Sequence, residues 1–331
     1  MAATPARRTH AGPVRAADRT LPPDQMLRAA WLYYGEHMTQ ADIASAMKLA
    51  RARVIALLAA ARDSGVVRVH IEARGREERA MGRALAQRFA LHEAIVVPAP
   101  STESAAATVV GHAAGSYLGS RLRDGMSVGV GWGATLHAAL KAVSPRPLAR
   151  VAMVSLLGSV THSRTITPAT VARRLADAFG AECYQLTAPL VVSGPAVRDA
   201  LWSEPGLADL RHRAREVDLA LLSVGDMSPQ STLFREALLT AEDLRGLVAA
   251  GAVGDVLCHF LGAAGRPVAH PIGRRTMSVA LDDLARVPEI VVASGGRRKA
   301  PALFAALQAL SVRVLITDAG AARELLALAG G

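Results

Sequence analysis

The strongest constraint on the fold is an alternation that runs through residues 93–331. Apolar, largely β-branched runs at 94–97, 127–130, 151–157, 217–224, 289–293 and 312–317 are separated by stretches of helical period at 104–122, 136–143, 167–179, 241–250, 298–310 and 319–328. A strand that is apolar on both faces has no solvated side, so it belongs in a sheet covered above and below. With a helix between successive strands, that sheet is mostly parallel. The expected class is therefore α/β. In such sheets ligands bind at the carboxyl ends of the strands, where glycine-rich turns begin helices. No internal repeat is visible.

Two turns fit that description. In SVGVGWGATL (127–136), Gly131 and Gly133 lie between a strand and a helix that opens with Ala134 and Thr135. Glycine lets backbone approach an anion, and the helix start offers free N–H groups and the positive end of its dipole. In ASGGRRKAPALFAAL (293–307), a glycine pair precedes a helix bearing Lys299. Simpler readings stand beside these: a tight turn in the first case and a solvated surface lysine in the second. Trp132 reads as packing before it reads as a platform for a sugar ring. Gly129-Val-Gly131-Trp-Gly133-Ala134 also approaches the dinucleotide fingerprint, but that motif needs an acidic residue about 20 positions on for the ribose. Residues 145–165 contain no Asp or Glu.

The N-terminal part has a different pattern. An amphipathic first helix is expected at 26–34, a second at 40–47, a turn at 48–50 and a third helix at 51–63, stopped by Gly65. Thr39 with Asp42 has the spacing of a capping box. Residues 66–72 alternate like a short strand. Two short helices joined by a tight turn can place the second in a major groove about 12 Å wide. Its outward, N-terminal residues would be Arg51, Ala52, Arg53, Ile55 and Ala56. Thr39 and Gln40 start the preceding helix, and Arg62 and Arg68 are placed for phosphates. An ordinary three-helix bundle with arginines outside is the competing reading. The expected domains are a disordered basic tail (1–22), a helix-turn-helix domain (23–73), a linker helix (74–92) and a sensor domain (93–331).

Charge favours the nucleic-acid reading. Residues 1–80 hold 13 Lys and Arg against 8 Asp and Glu, which is half of the net charge of +10 in a quarter of the length. A basic segment gains affinity for a polyanion by releasing counterions. Two cysteines, Cys183 and Cys258, make neither a disulfide framework nor a zinc site, which suits a reducing cytoplasm. The histidines His112, His137 and His162 show no metal spacing. The first 20 residues lack the apolar core of a secretory signal, and the longest clean apolar run, near 151–160, is half of the roughly 20 residues that a membrane span needs.

The segment WLYYGEHMTQADIASAMKLARARVIALLAAARDSGVVRVHI (31–71) resembles the N-terminal domain of the SorC/DeoR-type sugar-binding transcriptional regulators. The resemblance continues through SVGVGWGATL, LLSVGDM (221–227), GAVGD (251–255), ASGGRRKAPALFAAL and LITD (315–318), and covers about residues 24–328. It implies an N-terminal helix-turn-helix and a large, mostly parallel α/β sensor domain with the fold of the sugar-phosphate isomerases and coenzyme A transferases. It also implies double-stranded operator DNA and a small sugar or sugar phosphate as partners, a homodimer or homotetramer, no cofactor and no metal.

The effector site that the resemblance implies comprises Gly131, Gly133, Ala134, Thr135 and Lys299 at a phosphate end. Asp255 would accept sugar hydroxyls, and Arg164 and Asp226 would lie nearby. The chain departs from the family's pattern in three places. Ala50 stands where Ser or Thr usually caps the recognition helix, Ile55 and Ala56 stand where polar or basic residues are usual, and Ser231 brings no charge. A sugar-phosphate isomerase would share the fold and the glycine turn, with Asp255 or Asp226 as base. It would have no use for a helix-turn-helix, and the isomerases' acid-rich catalytic loop is absent.

Overall fold

Hydrophobic burial draws the chain into two separate cores. The computed structural model describes residues 22–67, 75–160, 167–236 and 238–330, and these fall into two compact units that part at residue 67.

The first unit is helical: α1 (Pro23–Ala30), running on through a wider turn at Trp31–Gly35, then α2 (Gln40–Met47) and α3 (Arg51–Asp63). Ala29, Ile43, Val54, Leu57 and Leu58 form its core. Thr39 caps α2 by accepting the Asp42 N–H at 3.2 Å, and the Thr39 hydroxyl donates to the Asp42 carboxylate at 2.6 Å. Lys48 adopts the left-handed conformation that turns the chain into α3. No side chain caps α3 at Ala50, whereas Gly65 follows its end with φ +78. The wing expected over 66–72 lies, from residue 68 on, outside the described residues. So do Arg68, Arg164 and residues 1–21 of the tail.

The second unit begins with α4 (Arg76–Arg88), the helix expected as a linker. It is instead part of this unit: Met81 and Leu85 enter the large core, and Arg88 Nε donates to the Ala329 carbonyl at 2.9 Å. Then follow β1 (Glu93–Val97), α5 (Ala106–Arg121), β2 (Ser127–Val130), α6 (Ala134–Ala142), β3 (Ala152–Ser155), α7 (Pro168–Phe179), β4 (Glu182–Tyr184), α8 (Pro195–Ser203), α9 (Pro205–Arg215) and β5 (Leu219–Leu222). After these come β6 (Val224–Asp226), α10 (Thr232–Arg235), α11 (Ala241–Ala249), β7 (Ala252–Val256), β8 (His259–Gly262), β9 (Glu289–Ala293), α12 (Ala300–Ala309), β10 (Val312–Asp318) and α13 (Ala319–Gly330).

Seven strands form one sheet in the order β1-β10-β9-β5-β2-β3-β4, with parallel pairing throughout. Every residue of β5 and β9 is buried, as a two-sided cover requires. The chain leaves β2 toward β3 on one side and leaves β5 toward β9 on the other. The sheet's topology therefore reverses between β2 and β5, and a crevice opens at such a point.

The run expected as a single strand at 217–224 divides at Ser223. Its second half, β6, joins an antiparallel sheet, β6-β7-β8, that the sequence reading did not contain. This small sheet packs on α12 so closely that a Cβ at Gly254 would lie 2.2 Å from Ala302 Cβ. No helix among the described residues is long and apolar enough to cross a membrane.

Candidate functional site

The crevice at the switch point holds a cavity of about 270 Å³. Its floor is the β2–α6 turn (Gly133, Ala134), the strand continuation after β5 (Ser223 to Asp226) and the start of the helix after β9 (Gly295, Arg298, Lys299). Asp255 and the hairpin tip Leu257–Cys258 close one side, and Glu103 and Ser104, from the β1–α5 loop, close another.

Local geometry explains why these residues converge. Gly133 has φ +133, a conformation that lets the chain turn from β2 straight into α6. Gly225 and Asp255 are paired across β6 and β7, which brings Asp226 and Asp255 to the same sheet end. Asp318, only 1% exposed, accepts the N–H groups of Gly296 (2.5 Å), Gly320 (2.8 Å) and Ala321 (3.1 Å). One carboxylate thus caps α13 and fixes the loop that carries Lys299.

The centre of the cavity is an ionic cluster. The Lys299 ammonium donates to the Val224 carbonyl at 3.0 Å and to Ser294 Oγ at 3.4 Å. Burial lowers its pKa, while Asp226 and Asp255 pull it back up. Burial pushes Asp255 up to about 6, against the Cys258 N–H and Lys299, which favour its charged form. Ser228 Oγ donates to Asp226 Oδ1 at 2.8 Å. Two buried polar atoms on lining residues, Trp132 Nε1 and Ser231 Oγ, have no hydrogen-bond partner among the described residues. An unmet buried donor is costly, about 1–3 kcal/mol, and is commonly met by a ligand or water.

Of the expected effector residues, Gly133, Ala134, Asp226, Asp255 and Lys299 line the cavity. Gly131 and Thr135 do not. The Gly131 N–H is spent on the Leu221 carbonyl at 2.9 Å, and Thr135 is fully buried in α6 with no partner for its hydroxyl among the described residues. Nor does Lys299 present a bare charge, because its ammonium already has acceptors. Glu103 and Leu257 escaped the sequence reading: no motif marks a glutamate in a loop after an edge strand, or the tip of an unexpected hairpin.

In the first unit, Arg51, Ala52, Ile55, Ala56 and Arg62 are exposed along α3, and Arg53 is half-buried. Thr39 is exposed and Gln40 half-buried at the start of α2. With Tyr33, Tyr34, His37 and Arg51 they line a shallow cleft.

Residues 76–327 match the family model Sugar-bind, which describes a sugar-binding domain. The chain is 34% identical over 310 residues to the transcriptional regulator LsrR of Klebsiella pneumoniae subsp. pneumoniae, covering 91% of this chain and 92% of that protein. The chain belongs to the SorC/DeoR-type family of sugar-binding transcriptional regulators. The regulator is also 29% identical over 301 residues to the deoxyribonucleoside regulator of Bacillus subtilis, covering 90% of this chain and 96% of that one. Its fold is that of the full-length sorbitol operon regulator SorC from Klebsiella pneumoniae: TM-score 0.68 at 22% identity, over 92% of the regulator and 98% of the neighbour. These relatives span both units, so the regulator carries its helical unit and its sugar-binding unit in the family's arrangement along the chain.

Proposed function

We propose that the regulator binds operator DNA through α3 and the start of α2, and that a sugar-type effector in the switch-point cavity controls that binding. The observation that carries this reading is the convergence of Asp226, Asp255 and Lys299, with the unmet donors of Trp132 and Ser231, at the one edge of a parallel sheet where ligands bind. A sugar presents many hydroxyls, each able to donate to a carboxylate and accept from an ammonium or an indole N–H.

On the DNA side, Arg51, Ala52, Ile55 and Ala56 face the groove, Arg53 borders it, and Thr39, Gln40 and Arg62 meet the backbone. The regulator acts in the cytoplasm as a homodimer or homotetramer. The effector shifts the population between assembly geometries, only one of which spaces the recognition helices to match operator half-sites.

One observation favours a second reading, a sugar-phosphate isomerase-like activity. An acid with a pKa of about 6 in a cavity is what proton transfer between sugar carbons requires. Incubation with ribose 5-phosphate and glucosamine 6-phosphate separates the two: turnover supports the enzyme, and its absence supports the regulator. The primary test is fluorescence anisotropy of duplexes from the regulator's own upstream region at low salt, beside a thermal-shift screen of sugars. Affinity for one duplex over a scrambled one is the expected result. Indifference to every duplex would overturn the reading.

A further inference from the structure

The tip of the β7–β8 hairpin carries side chains where its backbone favours none. Val256 pairs with His259, so Leu257 and Cys258 alone make the turn, and both have positive φ. Two central residues at positive φ mark a type I′ turn, which takes Asn or Asp first and glycine second, because a Cβ is crowded there. A leucine and a cysteine stand there instead, 5% and 4% exposed.

Leu257 has packing work to do: a Cβ at Gly131 would lie 3.3 Å from Leu257 Cδ2, so the leucine rests on the β2–α6 turn. The tip is also held from both sides. Asp255 binds the Cys258 backbone N–H, and its Oδ1 is set where a Cβ at Gly225 would lie only 2.1 Å away. After the tip, His259 Nε2 lies 2.9 Å from the Val279 carbonyl and 3.0 Å from Ser278 Oγ. None of these restraints calls for a side chain at 258, where glycine would hold the same turn at less cost. The Cys258 side chain instead lines the cavity.

The cavity is divided in kind. Asp226, Asp255 and Lys299 offer it charges, whereas Leu157, Leu233, Leu257 and Cys258 offer it apolar surface. A sugar has the same division, with hydroxyls to bond and carbon–hydrogen surface to cover. In small-molecule sites a few polar groups fix orientation while the apolar lining reads shape. A terminal phosphate leaves the carbon–hydrogen surface unaltered, so such a wall reads the carbon skeleton of a sugar and of its phosphate alike.

We propose that Cys258 is a specificity-determining residue of the effector cavity, kept at a glycine position because its side chain meets the carbon–hydrogen face of the sugar. The inference rests on the sugar-effector reading above and deepens it.

The test is titration calorimetry on the full chain, wild type, Cys258→Ala, Cys258→Gly and Cys258→Ser. The compounds are erythritol, ribose, xylose, glucose and galactose, each with its terminal monophosphate. Ala keeps the Cβ and its conformational cost, Gly relieves that cost, and both lack the sulfur; Ser keeps the volume and makes the patch polar. Melting curves without ligand show that each variant folds. For the compound that wild type binds best, all three variants should bind about fivefold or more weakly, the worth of about 40 Å² of apolar contact. The other compounds should lose less, so that the lead of the preferred one narrows. An affinity unchanged in Cys258→Ala or Cys258→Ser, or an equal loss for every compound, overturns the inference and leaves the sugar reading standing. Silence of the wild type toward every compound, with DNA still bound, overturns the sugar reading itself and this inference with it.

Discussion

Asp255 Oδ2 accepts the Cys258 N–H at 3.0 Å, so a carboxylate that lines the cavity also fastens the turn between β7 and β8. That turn has Leu257 at φ +51 and Cys258 at φ +60, two successive side chains in the left-handed region. Such a backbone is strained by roughly 1–3 kcal/mol per residue and persists where its surroundings hold it. The Asp255 bond is one such restraint. Whatever draws on the carboxylate therefore acts on the hairpin tip, which is itself a wall of the cavity.

The same carboxylate predicts a pH signature. Its folded pKa of about 6 lies above its ordinary 3.8. It thus contributes stability that is complete below the unfolded value and lost as pH rises through the folded one. Measured by urea denaturation at about pH 4 and about pH 7, the stability of wild type relative to Asp255→Asn should fall by up to about 3 kcal/mol on raising the pH. A pH-independent difference would show that the group is not desolvated as described.

Helix α3 lacks a side-chain cap, because Ala50 sits at its N-cap with extended backbone, φ −67 and ψ 142. That geometry suits a Ser, whose Oγ would accept one of the free N–H groups of the first turn. Ala50→Ser should stabilise the first unit by about 0.5–2 kcal/mol and raise its melting temperature in calorimetry. No change, or a fall, would mean that the cap position is restrained by something other than its side chain.

Arg51 is exposed at the first position of α3, whereas Arg53 is half-buried. Arg51→Ala should therefore cost more operator affinity than Arg53→Ala, about 1–3 kcal/mol if it reads a base edge. The double variant should keep the thermal shift produced by the effector. If Arg51 instead meets phosphate, the loss will be uniform across sequences, with a shallower salt slope by about one unit. Equal loss of DNA and effector binding would contradict the division of labour between the two units.

Much of this architecture is legible in the sequence, for a physical reason. The central strands are buried on both faces over Val128–Val130 and Ile290–Ala293, so burial writes these stretches as apolar runs. The helices α2 and α3 show through Thr39, Ile43, Val54, Leu57 and Gly65, where capping, packing and stopping each demand a residue type. The antiparallel sheet is not legible, because Gly225, Asp226, Gly254 and Asp255 break the apolar pattern at the points where the strands line the cavity. Helix α8 has no buried residue and hence no apolar stripe. At the site, Asp226, Asp255 and Lys299 were visible through their motifs. Glu103 was not, because its place at the cavity comes with a contact to Arg298 that spans 195 positions of the chain.

The central claim is that one ligand's binding is felt by the other. Operator affinity should be measured by anisotropy at fixed salt, with and without a saturating sugar identified by thermal shift, and the sugar's affinity measured with and without saturating operator. The account predicts that both change by the same factor, about 5–150-fold, since coupling between sites is reciprocal. An operator dissociation constant that stays the same while the sugar is demonstrably bound would contradict it.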